Sequence, residues 1–154
     1  MPARVVIPSI GVDAPVVPVG VDRFTHQTEV PDDVDVVGWY RFGPTPGAPG
    51  SSLLLGHVDS RVQGLGAFFR LGEVQPGALI TVRYAASDAG RHQASFVVVA
   101  RRSYPKVDLP GRIFARGGRP VLALVTCGGA FNEATRHYAD NVVVYAVPRA
   151  ARTG

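Results

Sequence analysis

Short runs of apolar and β-branched residues, separated by glycine and proline, make up most of the chain. Runs of this length between turn-forming residues are typical of β-strands. The clearest run, 121–127, begins after Pro120 and ends at Cys127, the only cysteine in the chain. A polar segment at 132–140 separates it from a second apolar run at 142–147. We therefore predict a buried strand, a loop and a return strand in this part of the sequence.

The same pattern recurs through the rest of the chain. Further strands are predicted over residues 4–7, 12–19, 52–57, 78–84 and 92–101. Pro15 and Pro18 indicate an edge or bent strand at 12–19, and residues 67–71 fit one helical turn. The segments 58–66 and 102–119 are predicted to be connections, the second unusually long. About eight short strands with such punctuation predict an all-β fold, a closed β-barrel with short helical turns in its connections.

Composition is consistent with one folded domain. The chain has 154 residues, of which 46% are hydrophobic and 18% are charged. We predict a single domain at 1–149 and a C-terminal tail at 150–154, without an internal linker or repeat. The net charge is +4, but the basic residues are scattered, so nucleic-acid binding is disfavoured. No apolar run has membrane-spanning length, and we expect any targeting segment or membrane anchor to lie outside this sequence.

Two of the predicted strands end in residues that can carry out chemistry, His57 and Cys127. Strand ends are positioned by a rigid scaffold and reached by solvent. Arg136 follows Cys127 within the polar segment. A thiolate can attack a carbonyl, an imidazole can protonate the leaving amine, and a guanidinium can stabilise the oxyanion. The three side chains together would suit acyl transfer.

Each of these residues also has a structural interpretation. A single free cysteine is often a small buried hydrophobic residue, and His57 can be an ordinary structural histidine. His137, next to Arg136, is a rival base, whereas His26 and His92 are weaker candidates. A β-barrel binding or structural module with an inert Cys127 therefore stays open as an alternative. The histidine spacing and the single cysteine disfavour a zinc site, and no glycine-rich phosphate loop precedes a helix.

Several motifs together resemble those of the sortase family. They are Thr126-Cys127 at the end of one strand, Gly56-His57-Val58-Asp59 at the end of another, Arg136, Ile7-Pro8-Ser9-Ile10-Gly11-Val12 near the start, and Tyr138-Ala139-Asp140-Asn141-Val142-Val143 near the end. The resemblance extends over essentially the whole chain. The long separation of His57 from Cys127 and the short one from Cys127 to Arg136 are most similar to class F, with class E next.

The resemblance implies an eight-stranded barrel and a cysteine transpeptidase of Gram-positive bacteria, held at the extracellular face of the cytoplasmic membrane by an N-terminal anchor. Sortases cleave an LPXTG-type sorting signal between Thr and Gly and transfer the thioester-bound protein to an amine of a peptidoglycan precursor. By this resemblance Cys127 is the nucleophile, His57 the general acid and base, and Arg136 the oxyanion and substrate clamp. The acidic cluster that binds calcium in some sortases has no clear counterpart, so no metal and no cofactor is expected. An L,D-transpeptidase is disfavoured because its Ser-His-Gly-Cys signature is absent.

Strand alternation predicts which residues lie near the thiol and the imidazole. Residues two apart in a strand share a face, so Leu55 shares the face of His57 and Val125 shares that of Cys127. We predict that Leu55 and Val125 form the apolar floor of a groove suited to a Leu-Pro dipeptide. Thr126, adjacent to the thiol, is included among the predicted substrate-binding residues, although alternation directs its side chain into the barrel.

Overall fold

The computed structural model describes residues 2–20, 33, 35–57, 59–60, 64–68, 70–85, 92–104, 113, 117–127, 131–132, 137–138 and 141–149. For strand residues 57, 59–60, 64–65, 127, 131–132, 137–138 and 141, only the backbone is described. The strands in these residues are β1 (Pro2–Ile7), β2 (Val12–Val19), β3 (Val37–Tyr40), β4 (Ser51–His57), β5 (Asp59–Ser60), β6 (Gly64–Leu65), β7 (Leu79–Tyr84), β8 (Gln93–Tyr104), β9 (Val121–Cys127), β10 (Phe131–Asn132), β11 (His137–Tyr138) and β12 (Asn141–Pro148). Short 3-10 turns occupy Pro8–Ile10 and Leu71–Glu73.

Among the described residues, eight strands form a closed barrel in the order β1-β2-β3-β4-β9-β12-β8-β7. The prediction of an all-β, closed eight-stranded barrel is confirmed. The pairs β2–β3 and β4–β9 are parallel, and the other neighbours are antiparallel. Two further two-stranded ladders, β5–β6 and β10–β11, lie outside the barrel. The predicted sequence of strand, loop and return strand corresponds to the antiparallel neighbours β9 and β12.

The proline-containing strand β2 is not an edge strand, because it lies between β1 and β3 in the barrel. Its first half, Val12–Pro15, pairs with β1, and its second half, Val16–Val19, pairs with β3. Each half therefore has one unpaired side, where a residue without a backbone N–H costs no ladder hydrogen bond. This division of partners explains how two prolines are accommodated inside a closed barrel.

Two other local predictions were inaccurate. The segment 58–66, predicted to be a loop, contains the short ladder of β5 with β6. The helical turn predicted at 67–71 is displaced, since the 3-10 turn occupies Leu71–Glu73. Phe68, within the predicted turn, is fully buried in the barrel interior.

Apolar side chains of the central strands are buried on both faces of the sheet. One cluster draws on all eight barrel strands and fills the interior, and Leu54, Leu122 and Leu124 belong to it. A second cluster lies on the outer face of β4, β9 and β12. It consists of Val19, Leu53, Leu55, Ile113, Ala123, Val125 and Val143. Because residues two apart share a face, the alternation within β4 and β9 separates these two clusters cleanly.

The described residues hold no group of three or more His, Cys, Asp or Glu side chains placed to bind a metal ion. Within the same part of the chain, no helix has both the length and the apolar character required to cross a bilayer.

Candidate active site

The carboxyl ends of β4 and β9 meet at one rim of the barrel. The two strands run parallel, and their register pairs extend from Ser51 with Val121 to His57 with Cys127. Neighbouring strands lie about 4.8 Å apart, so the backbones of His57 and Cys127 are separated by roughly one strand spacing. The structure thus brings together two candidate residues that are distant in the sequence.

The backbone just before His57 is held in place by an aromatic ring. A Cβ atom added to Gly56 would lie 2.6 Å from Cδ2 and 2.7 Å from Cγ of Phe68. Phe68 has no exposed surface and belongs to the interior cluster. Only glycine fits beneath a ring that approaches the strand this closely. The contact therefore positions the end of β4 at the residue preceding the candidate imidazole.

The backbone just before Cys127 is held by a side-chain hydrogen bond. Thr126 is 2% exposed, and its hydroxyl oxygen accepts a 2.8 Å hydrogen bond from the backbone N–H of Val142. The ladder between β9 and β12 reaches Val125 and Val143, one residue further into the sheet. The hydroxyl therefore provides the next acceptor for β12 where the ladder ends. Because this oxygen is engaged within the fold, a contact between Thr126 and a substrate stays a prediction.

The predicted groove residues lie on the outer face of these two strands. Leu55 is register partner of Val125, and both belong to the outer cluster. Leu55 is 4% exposed and Val125 has no exposed surface. Ile113, from the connection between β8 and β9, packs in the same cluster. A substrate side chain would reach Val125 only after the covering residues shift, so the groove floor stays a prediction.

The remaining candidates are less fully placed. Arg136 and His26 lie outside the described residues. The backbone of His137 lies in β11, paired with Asn132 of β10. His92 is exposed at the start of the β8 hairpin, and its carbonyl accepts a 3.0 Å hydrogen bond from Tyr84 N–H. His92 lies on the β7–β8 side of the barrel, away from the ends of β4 and β9.

The sequence matches the family model of the sortase domain over residues 5–149. This chain belongs to the sortase family. The match covers nearly the whole sequence, including both strands that end at the candidate rim. A comparison with curated proteins gave no significant match.

Solved sortase structures have the same fold. Sortase C-1 from Actinomyces oris is 21% identical with a TM-score of 0.69, the match covering 97% of this chain and 74% of that one. Sortase A from Corynebacterium diphtheriae is 18% identical with a TM-score of 0.67, covering 99% of this chain and 62% of that one. Sortase A from Listeria monocytogenes is 14% identical with a TM-score of 0.66, covering 96% and 86%. These similarities establish the barrel fold.

Sequence reasoning did not identify Phe68 or the role of Gly56 in this sortase domain. The contact joins two segments whose local patterns are unrelated, and a glycine before a histidine carries no signal of a ring above it. The position of Ile113 in the outer cluster was missed for the same reason, since it lies in a long connection without strand periodicity. A polar residue inside an apolar run, such as Thr126, is the one signal that could have indicated a buried hydrogen bond.

Proposed function

We propose that this sortase domain is a class F-like cysteine transpeptidase, with class E the next most similar class. Its substrate would be an LPXTG-type sorting signal, cleaved between Thr and Gly. The observation that carries the proposal is the register pairing of His57 with Cys127 at the shared end of two parallel strands. A thiol and an imidazole based one strand spacing apart can exchange a proton and act on the same carbonyl.

The proposed reaction has two acyl transfers. The Cys127 thiolate attacks the Thr carbonyl carbon, and Arg136 donates hydrogen bonds to the oxyanion. The carbon–nitrogen bond to Gly then breaks, His57 protonates the departing amine, and a thioester remains on the sulfur. An incoming amine attacks the thioester, His57 takes up its proton, and the thiolate leaves as the new amide forms. Water in place of the amine would give hydrolysis as a side reaction.

The outer face beside the rim is the proposed binding surface for the sorting signal. Leu55 and Val125 lie two residues before His57 and Cys127 on their strands. They are therefore next to the position of the reacting carbonyl, further into the sheet from the rim. Their apolar cluster matches the Leu-Pro part of such a signal. Thr126 completes the proposed set through its position next to the thiol, with its own hydroxyl bonded to β12.

The proposed partners follow from the family. They are surface proteins with a C-terminal sorting signal and the acceptor amine of a peptidoglycan precursor, and nucleic acid is not among them. The proposed location is the extracellular face of the cytoplasmic membrane and the cell wall. No cofactor is required, because the thiol, imidazole and guanidinium supply the nucleophile, the proton transfers and the charge stabilisation.

Intact-protein mass spectrometry tests the proposal directly. The wild-type chain and the Cys127→Ala variant are incubated with a panel of sorting-signal peptides, with and without an amine acceptor. We expect a thioester adduct of the peptide up to its Thr on wild type alone, discharged when the amine is added. An unmodified wild-type protein with every peptide, together with a Cys127 thiol inert to a methanethiosulfonate reagent, would favour a non-catalytic barrel module.

A further inference from the structure

A cavity of about 490 Å³ lies on the outer face of the barrel, and two of its lining residues, Tyr104 and Tyr145, pack against the outer cluster. We call it the Arg102/Arg119 cavity. It is lined by Ser51, Val99, Arg102, Tyr104, Arg119 and Tyr145, among other residues. Ser51 and Val121 begin β4 and β9, whereas His57 and Cys127 end them. At about 3.3 Å per residue, this end of the cavity lies about 20 Å along the strands from the rim.

A β-bulge shapes the apolar wall of the cavity. Tyr145 of β12 pairs with Ala100, and Ala146 pairs with Val98, so Val99 has no partner in this ladder. Val99 and Ala100, although consecutive, both line the cavity, and Val99 is 51% exposed. Bulges turn a side chain away from regular alternation and are common beside functional sites. Here the bulge adds an exposed apolar side chain to the wall formed by Tyr145.

Two arginines, Arg102 and Arg119, also line the cavity. Arg102 and Arg119 are both exposed, and the ion pairs found among the described residues involve neither of them. One nitrogen of Arg102 donates a 3.0 Å hydrogen bond to the carbonyl of Arg101, which leaves its other N–H groups for a ligand. Guanidinium groups bind phosphate and carboxylate with paired, charge-assisted hydrogen bonds.

The lining of the cavity also contains hydroxyl groups. The Ser51 hydroxyl oxygen is buried, and it has no hydrogen-bond partner in the part of the chain that the structure describes. Buried polar atoms in native proteins are nearly always paired, so such a group calls for a water or ligand partner. The hydroxyl groups of Tyr104 and Tyr145 lie 3.2 Å apart at the same cavity.

We propose that the Arg102/Arg119 cavity binds an amphipathic anion, a phosphate or carboxylate carried on an apolar chain or ring. The oxyanion would lie between the two guanidinium groups, and the apolar part would pack on Val99 and Tyr145. The volume is in the range of small-ligand sites, which combine apolar walls with a few polar groups. The same chemistry occurs in soluble alkyl phosphates and in anionic lipid headgroups with their acyl chains.

Calorimetric titration with hexyl phosphate tests the site without reference to enzyme activity. We expect wild type to bind hexyl phosphate more tightly than inorganic phosphate, and hexanol to show no measurable binding. Arg102→Gln and Arg119→Gln should each weaken hexyl phosphate binding about tenfold or more, since each removes a charge-assisted hydrogen bond. The matched control is Arg83→Gln, which removes an exposed arginine of β7 and should leave the affinity unchanged.

Any of three results would overturn the site: no hexyl phosphate binding by wild type, equal affinity for inorganic phosphate, or the same loss in Arg83→Gln as in Arg119→Gln. Sedimentation with phosphatidylglycerol and phosphatidylcholine vesicles then distinguishes the sources of the anion. Binding to phosphatidylglycerol that Arg119→Gln removes and Arg83→Gln keeps identifies a lipid headgroup. Hexyl phosphate binding without vesicle binding identifies a soluble ligand.

Discussion

Replacing Gly56 with alanine tests whether Phe68 positions the end of β4. The added Cβ would meet the ring at 2.6 Å, whereas ordinary contacts of this kind are 3.5–4.0 Å. Strand or ring must therefore move by about 1 Å. The ring cannot turn into open space, because Phe68 has no exposed surface and is enclosed by the interior cluster.

The expected loss of stability follows from this overlap. Inserting a methyl group into a filled core costs about 1–3 kcal/mol. Restricting the unfolded chain by a Gly-to-Ala change returns about 0.4–1 kcal/mol. We therefore expect Gly56→Ala to reduce the free energy of unfolding by about 1–2 kcal/mol. Urea denaturation, with the slope compared to wild type, measures the difference.

The expected loss of activity is separate from the loss of stability. A shift of about 1 Å at the residue before His57 can lower kcat/KM for a sorting-signal peptide by about a hundredfold. Phe68→Leu should relieve part of the overlap. The loss of stability in the double variant with Gly56→Ala and Phe68→Leu should therefore be about 1 kcal/mol smaller than the sum of the two single losses.

Gly72→Ala is the matched control for this prediction. A Cβ at Gly72 would have Val142 Cγ2 as its nearest neighbour at 3.9 Å, which is ordinary contact. Its stability should stay within about 0.5 kcal/mol of wild type. If Gly56→Ala is as stable and as active as Gly72→Ala, the proposed positioning by Phe68 is wrong.

Three further predictions concern the site and its support. Thr126→Val removes the acceptor of the Val142 N–H and should cost about 1–3 kcal/mol in urea denaturation, whereas Thr126→Ser should keep most of the stability; equal losses would exclude the hydrogen bond as the cause. Ser52→Ala should cost only about 0.5–1.5 kcal/mol, because the Pro44 carbonyl that accepts from Ser52 Oγ also accepts from Trp39 Nε1; a larger loss would contradict this sharing. A plot of kcat/KM against pH should be bell-shaped, because the Cys127 thiolate is lost at low pH and the His57 imidazolium at high pH. A value of kcat/KM that rises steadily through both titrations would contradict the mechanism.

The strands at the site could be predicted because each is a bounded apolar run. The segment from Pro120 to Cys127 gave one strand with the correct end, and β4 was predicted within one residue of its start. Elements whose ends are set by tertiary contacts were harder to predict from the sequence. β8 continues to Tyr104, beyond the predicted end at residue 101, because it pairs with β12 as far as Asn141. The polar residues Arg102 and Ser103 obscured this continuation.

The parallel pairing of β4 with β9 could not be predicted from either strand alone. Alternation normally fixes register, because a slip of one residue moves every side chain to the other face. In β4 the three leucines at 53–55 are consecutive, and both faces of the sheet are apolar, so their pattern fits either register. The residues that break this equivalence are Ser52, whose hydroxyl bonds to Pro44 O, and Gly56, which lies beneath Phe68.

These two residues therefore determine which residue of β4 lies opposite Cys127. Ser52 and Gly56 share the interior face with Leu54, so His57, one residue beyond Gly56, occupies an outer-face register position opposite Cys127. A register displaced by one residue would place Leu55 or His57 against Phe68 and leave the buried Ser52 hydroxyl without its acceptor. The catalytic pairing proposed for this sortase domain thus depends on a glycine and a serine that take no part in the chemistry.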